Sequence, residues 1–116
     1  MAATPEAKVK ARIHAALKAA GAYAVNYIGG QYAKNGTPDI LACLEGRFIG
    51  IEAKAGHNKP TALQIKALRE IDEAGGLALV INEGNLDFLK EYLKDVHNAR
   101  SNYSLFASPQ EDLEQS

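Results

Sequence analysis

With 116 residues, a formal net charge of −1, 47% hydrophobic and 23% charged residues, the chain has room for one globular domain with a single core, and its near-neutral charge argues against a general nucleic-acid-coating protein. Its one cysteine, Cys43, rules out a disulfide framework or thiolate metal site within the chain and reads as a small buried apolar residue in mid-strand. No apolar stretch approaches membrane-spanning length and the N-terminus has no apolar signal region, so the expected setting is a reducing cytoplasm without membrane partners.

The charge is unevenly placed. Residues 1–69 hold ten Lys and Arg against four Asp and Glu, a balance of +6, whereas residues 70–116 hold three against ten, a balance of −7. A basic half suits a polyanion approaching one side of the molecule, and ordinary solvated helix faces with an acidic tail explain it equally well.

Thr4-Pro5-Glu6 is a helix start, with a threonine cap and proline at the first helical position. Val9, Ile13, Ala16, Leu17 and Ala20 form its buried stripe, and Gly21 ends it. A first strand is expected over 22–28, then a turn-rich loop over 29–37. Two apolar runs, 38–44 and 47–54, read as a hairpin with Glu45-Gly46 at the tip. A helix follows over 61–74, stopped by Gly75-Gly76. Leu77 to Ile81 has the continuous apolar pattern of a strand covered on both faces. A last helix opens at Gly84-Asn85, with Leu86, Leu89, Leu93 and Val96 inward. Residues 1–96 are thus expected to form one domain, and 97–116 a polar tail, either mobile or at a partner interface. The order αβββαβα specifies an α/β domain with a mixed central sheet flanked by helices.

The hairpin carries the chemistry. With Leu44 facing Arg47, Asp39 falls opposite Glu52, and the period of two puts Lys54 on the same face. Two opposed carboxylates destabilise a sheet unless a cation lies between them; Lys54 is one choice and a divalent metal another. On repulsion alone, removing Asp39 is expected to leave metal-free stability unchanged or higher. Glu52 stands out because it lies late in an apolar strand. Glu6 continues the inward stripe of the first helix, although a first-turn glutamate also suits the helix dipole. Thr61-x-x-Gln64 fits a capping box, and the same glutamine could aim its amide at a metal-bound water or a phosphate. Tyr27, Tyr32 and Lys34 in the long loop could stack on bases and meet phosphate, with His57 and Lys59 as further phosphate contacts; these are weak signals. His14, His57 and His97 share no metal-ligand spacing.

A helical glutamate, then Gly36-Thr37-Pro38-Asp39, then Glu52-Ala53-Lys54 on the next strand and Gln64 on the following helix resembles the PD-(D/E)XK nuclease superfamily. The short layout is most similar to the VRR-NUC family, in particular its small stand-alone members in phages and bacteria, over residues 5–96. The resemblance implies a restriction-endonuclease-like αβββαβ(α) core and Mg²⁺- or Mn²⁺-dependent hydrolysis of DNA phosphodiesters. It makes Asp39 and Glu52 metal ligands with the Ala53 carbonyl, gives Glu6 a supporting role at the metal, lets Lys54 position or deprotonate the attacking water, and has Gln64 orient Lys54 or that water. It also implies a homodimer acting on branched DNA such as Holliday junctions, in a bacterial or phage-infected cytoplasm. A less selective nicking or restriction-type nuclease, or a non-catalytic nucleic-acid-binding module with this fold, are the alternatives.

Overall fold

The structure is a computed structural model, and it describes residues 3–29 and 34–108. Helix α1 (Pro5–Ala20) begins on the Thr4 side chain, which accepts from the Ala7 N–H, and ends at Gly21, whose φ of +87° puts it in the left-handed region. Strands β1 (Tyr23–Asn26), β2 (Ile40–Leu44) and β3 (Arg47–Ala53) follow, then α2 (Ala62–Glu73), β4 (Leu77–Ile81), α3 (Leu86–Lys94) and a 3₁₀ turn at Tyr103–Phe106. The sheet order is β1-β2-β3-β4, antiparallel through the first three strands and parallel between β3 and β4. The parallel pair is joined through α2, as such a crossover requires. The expected α/β class, element order and mixed sheet are all observed.

Alternation along the strands sorts the core into two layers. Ile40, Ala42, Ile49, Ile51, Leu77 and Leu79 pack under α1 and α3 against Val9, Ile13, Leu17, Leu86 and Leu89. Ala78 and Val80 face the other way, onto Ile65 and Leu68 of α2. β4 is buried along its whole length, as its unbroken apolar run anticipated. Ala20 of the expected α1 stripe, the last residue of the helix, is exposed.

Helix α2 packs on β3 and β4, so among the described residues the same face of β1 and β2 is left open. Tyr23 and Val25 of β1 and Phe48 of β3 are 73%, 40% and 46% exposed there. Cys43, expected to be buried, lies on this open face and is exposed. Gly50 marks where α2 begins to cover the sheet: a Cβ there would lie 2.6 Å from Ile71 Cδ1.

Residues 97–108 are not a free tail. β4 is an edge strand, and its outward backbone groups need partners. Asn102, 6% exposed, supplies them: its Oδ1 accepts from the Val80 N–H at 2.7 Å and its Nδ2 donates to the Val80 carbonyl at 3.0 Å. The Ser101 hydroxyl accepts from the Ala78 N–H at 2.8 Å, and the Asn102 N–H donates to the Ala78 carbonyl at 3.1 Å. Tyr103 and Phe106 then close over Ile65 and Leu68. The packed unit therefore extends past 96 to at least Ala107. Arg47 ties the same segment down, its guanidinium donating to the carbonyls of Gly75, Gly76, Val96 and Ala99.

Candidate active site

The hairpin turn has φ of +51° at Glu45 and +84° at Gly46, the two positive values of a two-residue turn matched to strand twist. It sets Leu44 against Arg47 and Ile40 against Ile51, the register read from the sequence. One step further along the ladder, Asp39 stands opposite Glu52. Asp39 is fixed from both sides of its strand. Its Oδ2 accepts from the Ala53 N–H at 3.0 Å, and its carbonyl accepts from the Tyr27 N–H at 2.8 Å. The approach to Asp39 runs beneath α2: at Gly36, φ +82°, any Cβ would collide with the Leu63 carbonyl oxygen.

Glu52 is 2% exposed. Its Oε2 lies 3.2 Å from Gln64 Nε2 and 3.7 Å from Lys54 Nζ; among the described residues its buried Oε1 meets no N–H donor, and the Asp39 carboxyl is within hydrogen-bonding reach of the Glu52 carboxyl once one of the two is protonated. Burial, first, and then the Asp39 carboxyl beside it push the Glu52 carboxyl up to about 8; Lys54 opposes this and Glu6 adds to it. Near neutral pH the metal-free protein therefore holds Glu52 largely protonated, and its contact with Lys54 is less than a full ion pair.

Gln64 serves two masters. Its backbone N–H donates to the Thr61 hydroxyl and its Oε1 accepts from the Thr61 N–H at 2.8 Å, completing the capping box of α2. The other end of the same amide donates to Glu52. The sequence offered the cap and the site as alternatives, and the geometry provides both.

Glu6 approaches from α1, half-exposed, with its Oε2 3.8 Å from Lys10 Nζ. Lys10 also lies 3.7 Å from Asp39 Oδ1, so its ammonium bridges the two acids. Lys10 was missed in the sequence, although its position four residues after Glu6 was a usable signal. Lys54 is well shielded, its side chain 13% exposed.

The weaker signals scatter. Tyr27 borders the site, whereas Lys34 pairs with Glu70 at 3.0 Å on the side of α2. His57 and Lys59 are exposed on the loop between β3 and α2. Tyr32 lies outside the described residues.

Among the described residues, no group of three or more His, Cys, Asp or Glu side chains stands close enough to hold a metal ion by itself. The donors that do converge are nevertheless of the right kind. Two carboxylates, one with a buried oxygen that meets no N–H donor among the described residues, are hard ligands suited to Mg²⁺ or Mn²⁺, and such ions keep several waters rather than demanding an all-protein cage. No helix among the described residues is long and apolar enough to cross a membrane. No family model matches the chain, and no curated protein matches it.

Proposed function

We propose that the chain is a metal-dependent DNA endonuclease with a restriction-endonuclease-like fold, hydrolysing phosphodiester bonds in branched DNA as a homodimer. The observation that carries this reading is Glu52: a carboxyl 2% exposed, with one oxygen that meets no N–H donor among the described residues, set against a second acid. A buried acid left this way costs stability unless a cation or proton completes it.

Asp39, Glu52 and the Ala53 carbonyl would hold Mg²⁺ or Mn²⁺, with Glu6 supporting through water. When bound, the ion supplies Lewis-acid polarisation of the phosphate and a more acidic water. The rest of the chemistry belongs to the chain. Gln64 Nε2 pins Glu52 Oε2 and leaves Oε1 for the cation. The Ala53 N–H fixes the rotamer of Asp39. Lys54 holds its ammonium beside Glu52, where it can bind a phosphate oxygen or steer the attacking water. The basic excess of residues 1–69 draws the polyanion to this half of the chain.

The homodimer rests on the open sheet face, where Tyr23, Val25 and Phe48 are exposed beside half-buried Leu41. A second copy would cover it, and a twofold pair presents two sites for symmetric cleavage. The test is incubation with labelled four-way junction, flap, duplex and single-stranded DNA in Mg²⁺, Mn²⁺ or EDTA. Metal-dependent cleavage that favours branched substrates supports the reading; binding without cleavage under every condition overturns it.

A further inference from the structure

We propose that the cleft between α1 and the end of β1 binds an unpaired nucleotide of a DNA strand and delivers the adjoining phosphate to the acids; this rests on the nuclease reading above. The cleft holds about 440 Å³ and is lined by Lys10, His14, Asn26, Tyr27, Ile28 and Asp39. That volume suits a small ligand, so one nucleotide can enter where a stacked base pair cannot. Asp39 is a wall of both the cleft and the catalytic cluster, so a strand seated here passes directly over the site.

The cleft exists because of what α1 presents. Residues 7, 10, 11 and 14 share one helix face, and the small Ala7 and Ala11 leave space that larger side chains would fill. The lining is chemically suited to a nucleotide. His14 Nε2 donates to Asn26 Oδ1 at 2.7 Å. Among the described residues the Asn26 Nδ2 group makes no hydrogen bond, so its two N–H donors are available to base-edge acceptors. Ile28, 88% exposed, and the Tyr27 ring offer apolar surface to a base face. Lys10, already beside Asp39, supplies the ammonium for the phosphate.

Such a cleft gives a small nuclease a means of telling branched from continuous DNA. Unpaired bases at a branch point leave the stack at low cost, whereas a base of an intact duplex must first be unpaired and unstacked. The cleft therefore selects the strand, and the acidic cluster cuts it.

The test uses the intact chain in EDTA, so that no cleavage enters the measurement. Binding of a fluorescein-labelled oligothymidylate is followed by anisotropy and compared with a blunt duplex of equal length. Wild type should bind the single strand at least about fivefold more tightly, and Ala11→Phe, which fills the cleft from an exposed helix position, should weaken that binding about tenfold and change the duplex little. Asn26→Ala should also weaken single-strand binding, and thermal melting of each variant establishes that it is folded. Equal affinity for both probes, or a folded Ala11→Phe variant that binds like wild type, overturns the proposal. The two readings fail separately. Wild type that binds through the cleft but cuts nothing in Mg²⁺ loses the nuclease reading and keeps the cleft, and a protein that cuts DNA but ignores Ala11→Phe does the reverse.

Discussion

Gln64 donates from its amide nitrogen to Glu52 across 3.2 Å, while the oxygen of the same amide caps α2 through the Thr61 N–H at 2.8 Å. The start of the helix and the orientation of the buried acid are therefore set by one side chain. Gln64→Glu keeps an acceptor for Thr61 but turns the donor facing Glu52 into another acceptor. Cleavage should fall tenfold or more with helix content retained. Gln64→Ala loses both roles, and urea denaturation should show a cost of about 1 kcal/mol. Wild-type cleavage by Gln64→Glu would reduce the residue to a cap.

Asp39 has a structural duty that charge repulsion alone does not reveal. Its Oδ2 accepts from the N–H of Ala53, a residue whose side chain is fully buried. Asp39→Asn keeps an oxygen for that N–H, so metal-free stability should hold near neutral pH, and should rise above about pH 8, where Glu52 is charged and the repulsion is relieved. Asp39→Ala leaves the donor unpaired and should cost about 1–3 kcal/mol. This revises the expectation that simple removal is harmless. Equal stability of the two variants in urea would contradict it.

The Glu52 carboxyl, pushed up to about 8 from 4.5, makes metal-free stability depend on pH. Between those values the folded state holds a proton that the unfolded state has lost, so raising the pH favours unfolding. Stability should decline from about pH 5 to pH 8, by at most about 1.4 kcal/mol per pH unit from this group. Above about 8 the decline from Glu52 should level off. Glu52→Gln should flatten the curve over the same window. A wild-type curve that instead rises there, with no difference from Glu52→Gln, would contradict the assignment.

Lys10 lies 3.7 Å from Asp39 and 3.8 Å from Glu6, where it competes with any cation for those oxygens. Lys10→Ala should therefore tighten Mn²⁺ binding in calorimetry by several-fold while weakening DNA binding in EDTA. Unchanged Mn²⁺ affinity would place Lys10 outside the acidic cluster.

Much of this was legible in the sequence, for identifiable reasons. The register from Asp39 to Lys54 follows from a period of two and a tight turn, both local properties. Cys43 was misread because its exposure depends on how far α2 reaches across the sheet, which no pattern within β2 encodes. Ser101 and Asn102 looked like solvated polar residues of a tail; their work is to satisfy the edge of β4, and only the folded sheet reveals that demand. Gln64 was divided between two readings because a sequence motif assigns a residue one role, whereas an amide has two ends. Lys10 was overlooked because its partner Asp39 is 29 positions away in the chain.

The most direct test of the central claim is the initial rate at which wild type and Glu52→Gln cleave one labelled branched DNA in Mg²⁺. The substitution retains shape and burial, and removes the charge that a hard cation needs. Wild type should cleave, EDTA should stop it, and a folded Glu52→Gln protein should lose about a thousandfold in rate or more. Cleavage by Glu52→Gln at the wild-type rate, or metal-independent cleavage by both, would contradict the account.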